Sequence, residues 1–245
     1  AGRNEVVGVS VQFAFSQQPA SATGFLCNPS NVLTDTLGRA VTFVTLGNKS
    51  GQYVISASSS GLSGSPVLFT SSATPGPAKN LTSVSGNNQS GLITKSLQNP
   101  LVVRLADDES NIISNSSVVF SILSKPTGSS GEVLNPGSAT TDSKGEASSM
   151  LTFGNLAGSY SVGASAASLS PVSFGAKAAY VADFNVDGKT NAVDLTLLLQ
   201  YRQQNNILLG DIGPATGSLP ALIPRPDGKI DFEDLMVFAQ MWNWS

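Results

Sequence analysis

Histidine is absent from this chain of 245 residues, and cysteine occurs once, at Cys27. Without histidine, serine triads, cysteine–histidine pairs and histidine-bearing zinc sites are excluded. A single cysteine forms no internal disulfide, so we interpret Cys27 as a small buried apolar residue. Carboxylates outside the C-terminal region, such as Glu109 and Glu132, have no partner at the spacing of a glycosidase pair. We therefore expect a protein that is not an enzyme.

Charged residues are also few, at 12% of the chain, and the formal net charge is −3. This balance leaves no basic stripe for nucleic acid. No apolar run reaches the ~20 residues of a membrane span, and no signal peptide is recognisable, so we expect a mature form or a fragment. Low charge together with long Ser, Thr and Asn runs is typical of an extracellular or cell-surface protein.

The most specific motif lies near the C-terminus, where oxygen-bearing side chains follow the spacing of a twelve-residue calcium loop. The side chains at loop positions 1, 3, 5, 9 and 12 are Asp183, Asn185, Asp187, Asn191 and Asp194. Gly188 supplies the sharp turn at position 6, and Lys189 offers its backbone carbonyl at position 7. Apolar residues at helical spacing follow, whereas the segment before the loop is too short for a helix. The pattern predicts one Ca²⁺ ion in a loop with an exiting helix only.

A second stretch repeats the back half of this loop. Residues from Asp227 to Asp234 match positions 5 to 12, with Gly228 at position 6, and an amphipathic helix follows. Counting back places Ile223 and Arg225 at positions 1 and 3, where neither side chain coordinates calcium. We expect Asp211 to take position 1 if residues 212–226 form an inserted excursion. The predicted ligands of a second Ca²⁺ ion are therefore Asp211, Asp227, the Lys229 carbonyl, Asp231 and Asp234.

Two calcium loops that each lead into one helix resemble the dockerin module, and the resemblance covers residues 181–243. It implies a compact three-helix module that holds two calcium ions and binds a cohesin through its loop–helix segments. At loop positions 10 and 11 the family carries a Ser/Thr pair, whereas this chain has Ala192 and Val193, then Phe232 and Glu233. Two alternatives stay open: a cohesin-like partner, and a calcium-stapled domain that binds nothing else.

An internal repeat organises the chain ahead of the calcium loops. The segment Thr34–Ala40 recurs as Thr141–Ala147, at an offset of 142 − 35 = 107. The same offset aligns Phe13 with Phe120 and Tyr53 with Tyr160. The chain is therefore predicted to carry two copies of one domain.

Each copy shows the alternation of β-strands, with turns every ~10 residues, which is typical of a β-sandwich. The Asp-x-x-Gly turn and the Gly-x-Tyr strand of each copy resemble bacterial Ig-like domains of the invasin/intimin type, which implies stalk or spacer modules on secreted and surface proteins. We predict a mainly β chain with an incomplete Ig-like sandwich at 1–76, a complete one at 77–178 and a small helical calcium module at 179–245.

The first copy lacks a beginning. Asn4 aligns with Asn111, so nothing in the chain corresponds to residues 77–107, which are expected to form the first strands of the second copy. The apolar face of Val9, Val11, Phe13 and Phe15 is then expected to lack a cover. Two explanations stay open: a longer tandem array that was cut, or a neighbouring subunit that supplies the strands by donor-strand complementation and so builds a fibre.

These features predict a non-catalytic extracellular structural or assembly protein. The predicted partners are neighbouring copies of the chain in a fibre, or a cohesin-like domain. The alternatives are a cohesin-binding adaptor and the non-catalytic tail of a larger secreted polysaccharide-degrading enzyme. Trp242 and Trp244 are able to stack on a sugar, although the first is interpreted mainly as a cap on the helical core.

Overall fold

A computed structural model describes residues 5–242. Asn4 and Trp244, which the sequence interpretation used, lie outside the described residues. The chain is mainly β and forms two compact units. The first comprises residues 5–79 and Ala106–Ile112; the second comprises Asn80–Leu105 and residues 113–242. The division differs from the three predicted segments in two ways. Ala106–Ile112 belongs to the first unit, and residues 179–242, the described part of the predicted helical module, belong to the second.

The first unit contains two sheets. Its strands are β1 (Ser10–Gln17), β2 (Leu26–Asn28), β3 (Asn31–Leu33), β4 (Phe43–Thr45), β5 (Gly51–Ser58) and β6 (Val67–Ala73). One sheet has the order β3-β1-β5-β6, and β2 pairs with β4 in the other. The β1–β5 pairing is antiparallel, with Phe13 opposite Ala57 and a bulge after Phe15.

The core of the first unit is small. Phe13, Cys27, Tyr53 and Ile55 are its buried apolar residues. The aromatic ring of Phe15 packs edge-on against Phe25 at 4.9 Å and against Tyr53 at 5.9 Å. Of the predicted apolar face, Phe13 is buried, whereas Val9, Val11 and Phe15 are only partly covered, and Val9 lies ahead of β1.

The second unit contains a fuller pair of sheets. Its strands are β7 (Asn80–Ser85), β8 (Gln89–Leu92), β9 (Leu101–Ala106), β10 (Ser117–Ser124), β11 (Val133–Asn135), β12 (Ser138–Thr140), β13 (Glu146–Thr152), β14 (Gly158–Ser165) and β15 (Val172–Ala179). The sheet orders are β12-β10-β14-β15-β8 and β11-β13-β9-β7. The fully buried Leu101, Val103 and Leu105 alternate along β9 and face the core between the sheets.

The repeat predicted from the sequence appears in four pairs of matching strands. At the offset of 107, β1, β2, β3 and β5 coincide with β10, β11, β12 and β14. Strands β7 to β9 have no counterpart in residues 5–79. The strands that complete the second sandwich are thus those that the sequence comparison found missing from the first.

Short helices follow β15. They are α1 (Ala192–Gln203), α2 (Ile207–Gly210) and α3 (Phe232–Met241), with a two-stranded hairpin of β16 (Ala215–Thr216) and β17 (Ile223–Pro224) before α3. Leu198, Val237, Phe238 and Met241 form the buried apolar side of this region. Trp242 packs edge-on against Phe238 at 5.5 Å. Within residues 5–242 no helix is long and apolar enough to cross a membrane.

Candidate metal centre

The first predicted loop begins directly after the buried segment that follows β15. Asp183 is buried, and its two carboxylate oxygens accept hydrogen bonds from Asp187 N at 3.1 Å and Gly188 N at 2.9 Å. Gly188 has a φ of +90°, which a residue with a side chain rarely adopts, so glycine is required at this turn. The carboxylate of Asp183 thereby holds the loop in its curved form.

The end of the first loop is fixed by the start of α1. Asn191 caps the helix by accepting a hydrogen bond from Val193 N at 2.9 Å. Asp194 is fully buried and reaches back across the loop, where its Oδ1 accepts from Phe184 N at 2.9 Å and its Oδ2 from Asn191 N at 3.0 Å. The two ends of the loop are therefore connected through one carboxylate.

The second loop has the same hydrogen bonds, although its sequence is interrupted. Asp211 accepts from Asp227 N at 3.3 Å and Gly228 N at 2.7 Å, as Asp183 does from Asp187 and Gly188. Asp234 Oδ1 accepts from Ile212 N and Gly213 N, both at 2.7 Å, and its Oδ2 accepts from Asp231 N at 2.7 Å. Asp231 caps α3 in the way that Asn191 caps α1. Asp211 therefore lies where position 1 of the second loop was expected.

The interruption is the hairpin of β16 and β17. Arg225 N donates to Pro214 O at 2.7 Å and closes the base of this excursion, so the chain returns beside the residue from which it left. Ile223, which simple counting places at position 1, lies within β17, where it pairs with Thr216. The excursion leaves the front and back of the loop adjacent.

The remaining predicted ligands differ between the loops. In the first, Asn185 Oδ1 accepts from Asp187 N at 3.0 Å, and Asn185 Nδ2 donates to Asp187 Oδ2 at 2.9 Å. In the second, position 3 is Gly213, which has no side-chain oxygen. Lys189 and Lys229 occupy matching places, since their backbone N–H groups donate to Asp187 and Asp227 respectively.

Gly213 was not identified from the sequence. A Cβ at this position would lie 2.6 Å from the Glu233 carbonyl carbon and 2.7 Å from Asp234 N. The close approach of the two backbones therefore demands glycine. The signal in the sequence is the Asp-x-Gly spacing that begins at Asp211. This spacing indicates the front of a calcium loop only if residues 214–225 are first recognised as an insertion.

The electrostatics of the first loop favour a cation. Burial raises the pKa of Asp183, and the negative charges of Asp194 and Asp187 raise it further, although N–H groups of Gly188 and Asp187 act in the opposite direction. Carboxylate, amide and carbonyl oxygens at six loop positions match the ligand preference of Ca²⁺. This donor set fits a calcium ion chemically. The acidic side chains face backbone N–H groups, and residues 5–242 contain no preformed cluster of three acidic, histidine or cysteine side chains around a common point.

Comparisons with known proteins add fold similarities only. No family model and no curated protein matches the chain. The D0–D1 domain of intimin is 15% identical, with a TM-score of 0.29, over 73% of this chain and 85% of that one. The Yersinia pseudotuberculosis adhesin InvE is 16% identical, with a TM-score of 0.37, over 73% of this chain and 51% of that one. The Escherichia coli adhesin FdeC is 16% identical, with a TM-score of 0.48, over 71% of this chain and 53% of that one.

The chain thus spans about half the length of the two adhesin structures that it resembles. Because the identities and TM-scores are low, none of these similarities carries an argument about activity or partners.

Proposed function

We propose that this chain is a non-catalytic structural or assembly protein that works outside the cell or at the cell surface. Its repeated Ig-like sandwiches serve as spacer or scaffold, and its C-terminal loop–helix pair serves as a calcium-stabilised, dockerin-like connector. The observation that carries this proposal is the correspondence between the two loops. Asp211 and Asp234 make the same backbone contacts as Asp183 and Asp194, although Asp211 is separated from the rest of its loop by a hairpin.

Calcium would act here as a structural clip. In the first loop the side chains of Asp183, Asn185, Asp187, Asn191 and Asp194 and the Lys189 carbonyl would hold the ion. Bound calcium would offset the repulsion between buried carboxylates and join each loop to the helix that follows it. The buried apolar core around α1 and α3 is small, so the free energy of unfolding of this region is expected to rise with calcium concentration.

Calorimetric titration of the whole chain with Ca²⁺ tests the first loop. Asp183→Ala combined with Asp194→Ala is expected to remove one bound ion and to lower the calcium-dependent stabilisation of the helical region. Asp108→Ala, which removes an exposed carboxylate elsewhere, serves as the control and should leave binding unchanged. An unchanged stoichiometry in the double variant would show that this loop is not a calcium site.

The second loop is expected to bind a second ion more weakly, because Gly213 gives no ligand at position 3. Asp211, Asp227, Asp231 and Asp234 would supply the side-chain oxygens, together with the Lys229 carbonyl. Asp211→Ala with Asp234→Ala should remove the weaker binding step and keep the stronger one. If the unaltered chain takes up a single ion at millimolar calcium, the second loop has a structural role only.

The open first sandwich is compatible with strand addition as the mode of assembly. A fibre of copies, built by donor-strand complementation, is one form of it, and a strand from a different protein is the other. Sedimentation and electron microscopy of the purified chain distinguish filaments from dispersed monomers. A monomer at all accessible concentrations would exclude fibre formation by this chain alone.

A second candidate function is binding of a cohesin-like partner. Val193, at loop position 11 at the start of α1, and Phe232, at loop position 10 at the start of α3, both expose large apolar side chains. Phe232→Ala should weaken a calcium-dependent complex with a cohesin domain by about tenfold or more if this surface is used. Leu208→Ala, which alters an exposed apolar residue on α2, is the matched control. Equal affinities for the two variants would contradict this role for Phe232.

A further inference from the structure

The first unit has an apolar groove beside segment 39–42. Phe13, Ile55, Val44 and Phe69 line it, and its volume is about 510 Å³. No strand of the described residues pairs with this segment, whereas its counterpart 146–149 pairs with β9 in the second unit. The groove therefore corresponds to the place that β9 occupies in the complete sandwich.

A second apolar depression, of about 590 Å³, lies beside Val6 and Gly38. In the second unit the counterparts of these two residues hold the backbone of Leu105. Leu105 N donates to Gly145 O at 2.9 Å, and Ile113 N donates to Leu105 O at 3.1 Å. The first unit thus keeps both the apolar surface and the backbone groups that an added strand would use.

The complete sandwich shows what the inner face of such a strand must be. Leu101 stands opposite Ser149 and Val103 opposite Ala147, and both are fully buried. The counterparts of Ser149 and Ala147 in the first unit are Thr42 and Ala40, which are of similar size. An occupant therefore needs large apolar residues at alternate positions, as in β9.

The side of the pairing segment that faces away from the core differs in charge between the two copies. In the second unit Arg104 of β9 forms an ion pair with Glu146, directly across the strand pair. In the first copy the counterpart of Glu146 is Arg39. Its guanidinium Nε lies 3.6 Å from Asp35 Oδ2 in an exposed pair, which contributes little. A strand with arginine at this place is repelled, and one with a carboxylate is attracted.

We propose that this groove binds an extended segment of a different protein chain, antiparallel to residues 39–42. Alternate large apolar residues of that segment enter the groove, and an acidic residue faces Arg39. A second copy of this chain is a poor donor, because its β9 presents Arg104 and is needed to cover its own second unit. The inference rests on the proposed assembly role and names the chemistry of its partner, but its test is independent of calcium.

Three synthetic peptides test this proposal with the whole chain. One has the sequence of residues 99–107, the second carries Arg104→Glu, and the third carries Arg104→Glu together with Val103→Asp. Binding is measured by anisotropy of labelled peptide, and its location by hydrogen exchange of residues 39–42. We expect the Arg104→Glu peptide to bind about threefold to tenfold more tightly than the unaltered one. Val103→Asp should weaken binding at least about tenfold, because it places a charge in the groove.

The Arg39→Glu variant of the chain is expected to reverse the order of the first two peptides. Tighter binding of the unaltered peptide to the natural chain would overturn the proposal in favour of a β9-type donor from a second copy. Equal binding of all three peptides, or no protection of residues 39–42 by any of them, would also overturn it. So would full protection of this segment in the protein as isolated from its source, before any peptide is added.

Discussion

The two copies of the repeated domain share four matching strands, β1, β2, β3 and β5 in the first and β10, β11, β12 and β14 in the second, yet only the second copy has a closed core. Phe69 on β6, which pairs with Ile55, is 53% exposed. Phe174 on β15, which pairs with Val162, the counterpart of Ile55, is 1% exposed. Val44 is 41% exposed, whereas its counterpart Leu151 is fully buried. Since the residue types are similar, the difference comes from β7, β8 and β9. Burial in this fold is therefore decided by strands that precede the repeat.

The copies also differ in how they fill one end of the sandwich. In the second, Glu132 has a nearly buried side chain and accepts from Lys125 Nζ at 2.8 Å and from Ser129 Oγ, which also contacts Tyr160 OH at 2.8 Å. In the first, the counterparts of Ser129 and Glu132 are Ala22 and Phe25. An apolar and aromatic cluster thus takes the place of a hydrogen-bonded ion pair, as expected when neither arrangement has a clear advantage in stability.

The largest expected contrast between the copies is at the matched phenylalanines. Phe174→Ala should lower the free energy of unfolding of the second unit by about 3–5 kcal/mol, because it leaves a cavity in a closed core. Phe69→Ala should cost the first unit about 1 kcal/mol, because half of that ring is already in water. Hydrogen exchange in increasing urea, followed by mass spectrometry, gives the two units separately. Equal losses would mean that the first core is as well covered as the second.

A smaller effect is expected where the first unit is held by the segment Ala106–Ile112. Asn111 donates to Asn48 O and to Asp107 Oδ2, both at 2.9 Å, and accepts from Ser50 N at 2.9 Å. Asn111→Ala should therefore destabilise the first unit by about 1–3 kcal/mol. Asp108→Ala, in the same segment but exposed, is the control and should change little. A loss confined to the second unit would contradict the assignment of this segment to the first.

The smallest expected effect is on how the stability of the second unit depends on pH, through Glu132. Burial raises the pKa of Glu132, but hydrogen bonds from Lys125 and Ser129 lower it by more, so the pKa lies below its ordinary value. The stabilisation that the Glu132 carboxylate gives to the folded second unit is therefore complete above the unfolded pKa of about 4.3. It is lost as the pH falls through the lower pKa of the folded state.

Glu132→Gln should cost the second unit less than about 1 kcal/mol at neutral pH and should reduce its loss of stability below about pH 4.3. Urea unfolding at several pH values measures this change. Asp35 and Asp142 have lowered pKa values in matching turns, so they act alike on both copies. An unchanged acid profile in the variant would exclude Glu132 as a source of the dependence.

Much of the fold follows from the sequence because it depends on local patterns. The alternation around Phe13 predicts β1, and the ungapped offset of 107 predicts that β10 repeats it. The spacing from Asp183 to Asp194 predicts a curved loop capped into a helix. The expected position of Asp211 required one further step, a hairpin that returns the chain to its starting point. In each case neighbours in sequence determine the geometry.

Other features depend on contacts that no pattern in one sequence reveals. The segment Ala106–Ile112 belongs to the first unit, where Asn111 and Asp107 make hydrogen bonds, although it begins at the last residue of β9. The close backbone approach at Gly213 depends on the start of α3. The reversal of charge between Arg39 and Glu146 can be interpreted only from the structure, in which β9 pairs with Glu146 and no described strand pairs with Arg39.

Hydrogen exchange of two matching segments in one sample of the whole chain tests the difference between the copies most directly. Residues 39–42 lack a partner strand, whereas residues 146–149 pair with β9, and the two segments share a domain position and a turn. Residues 40–42 should exchange at nearly the rate of an open chain, whereas the N–H of Arg39 is held by Asp35 Oδ1 at 2.9 Å. Residues 147–149 should exchange at least about a hundredfold more slowly than residues 40–42. Equal protection of the two segments in the free chain would contradict an open groove in the first unit.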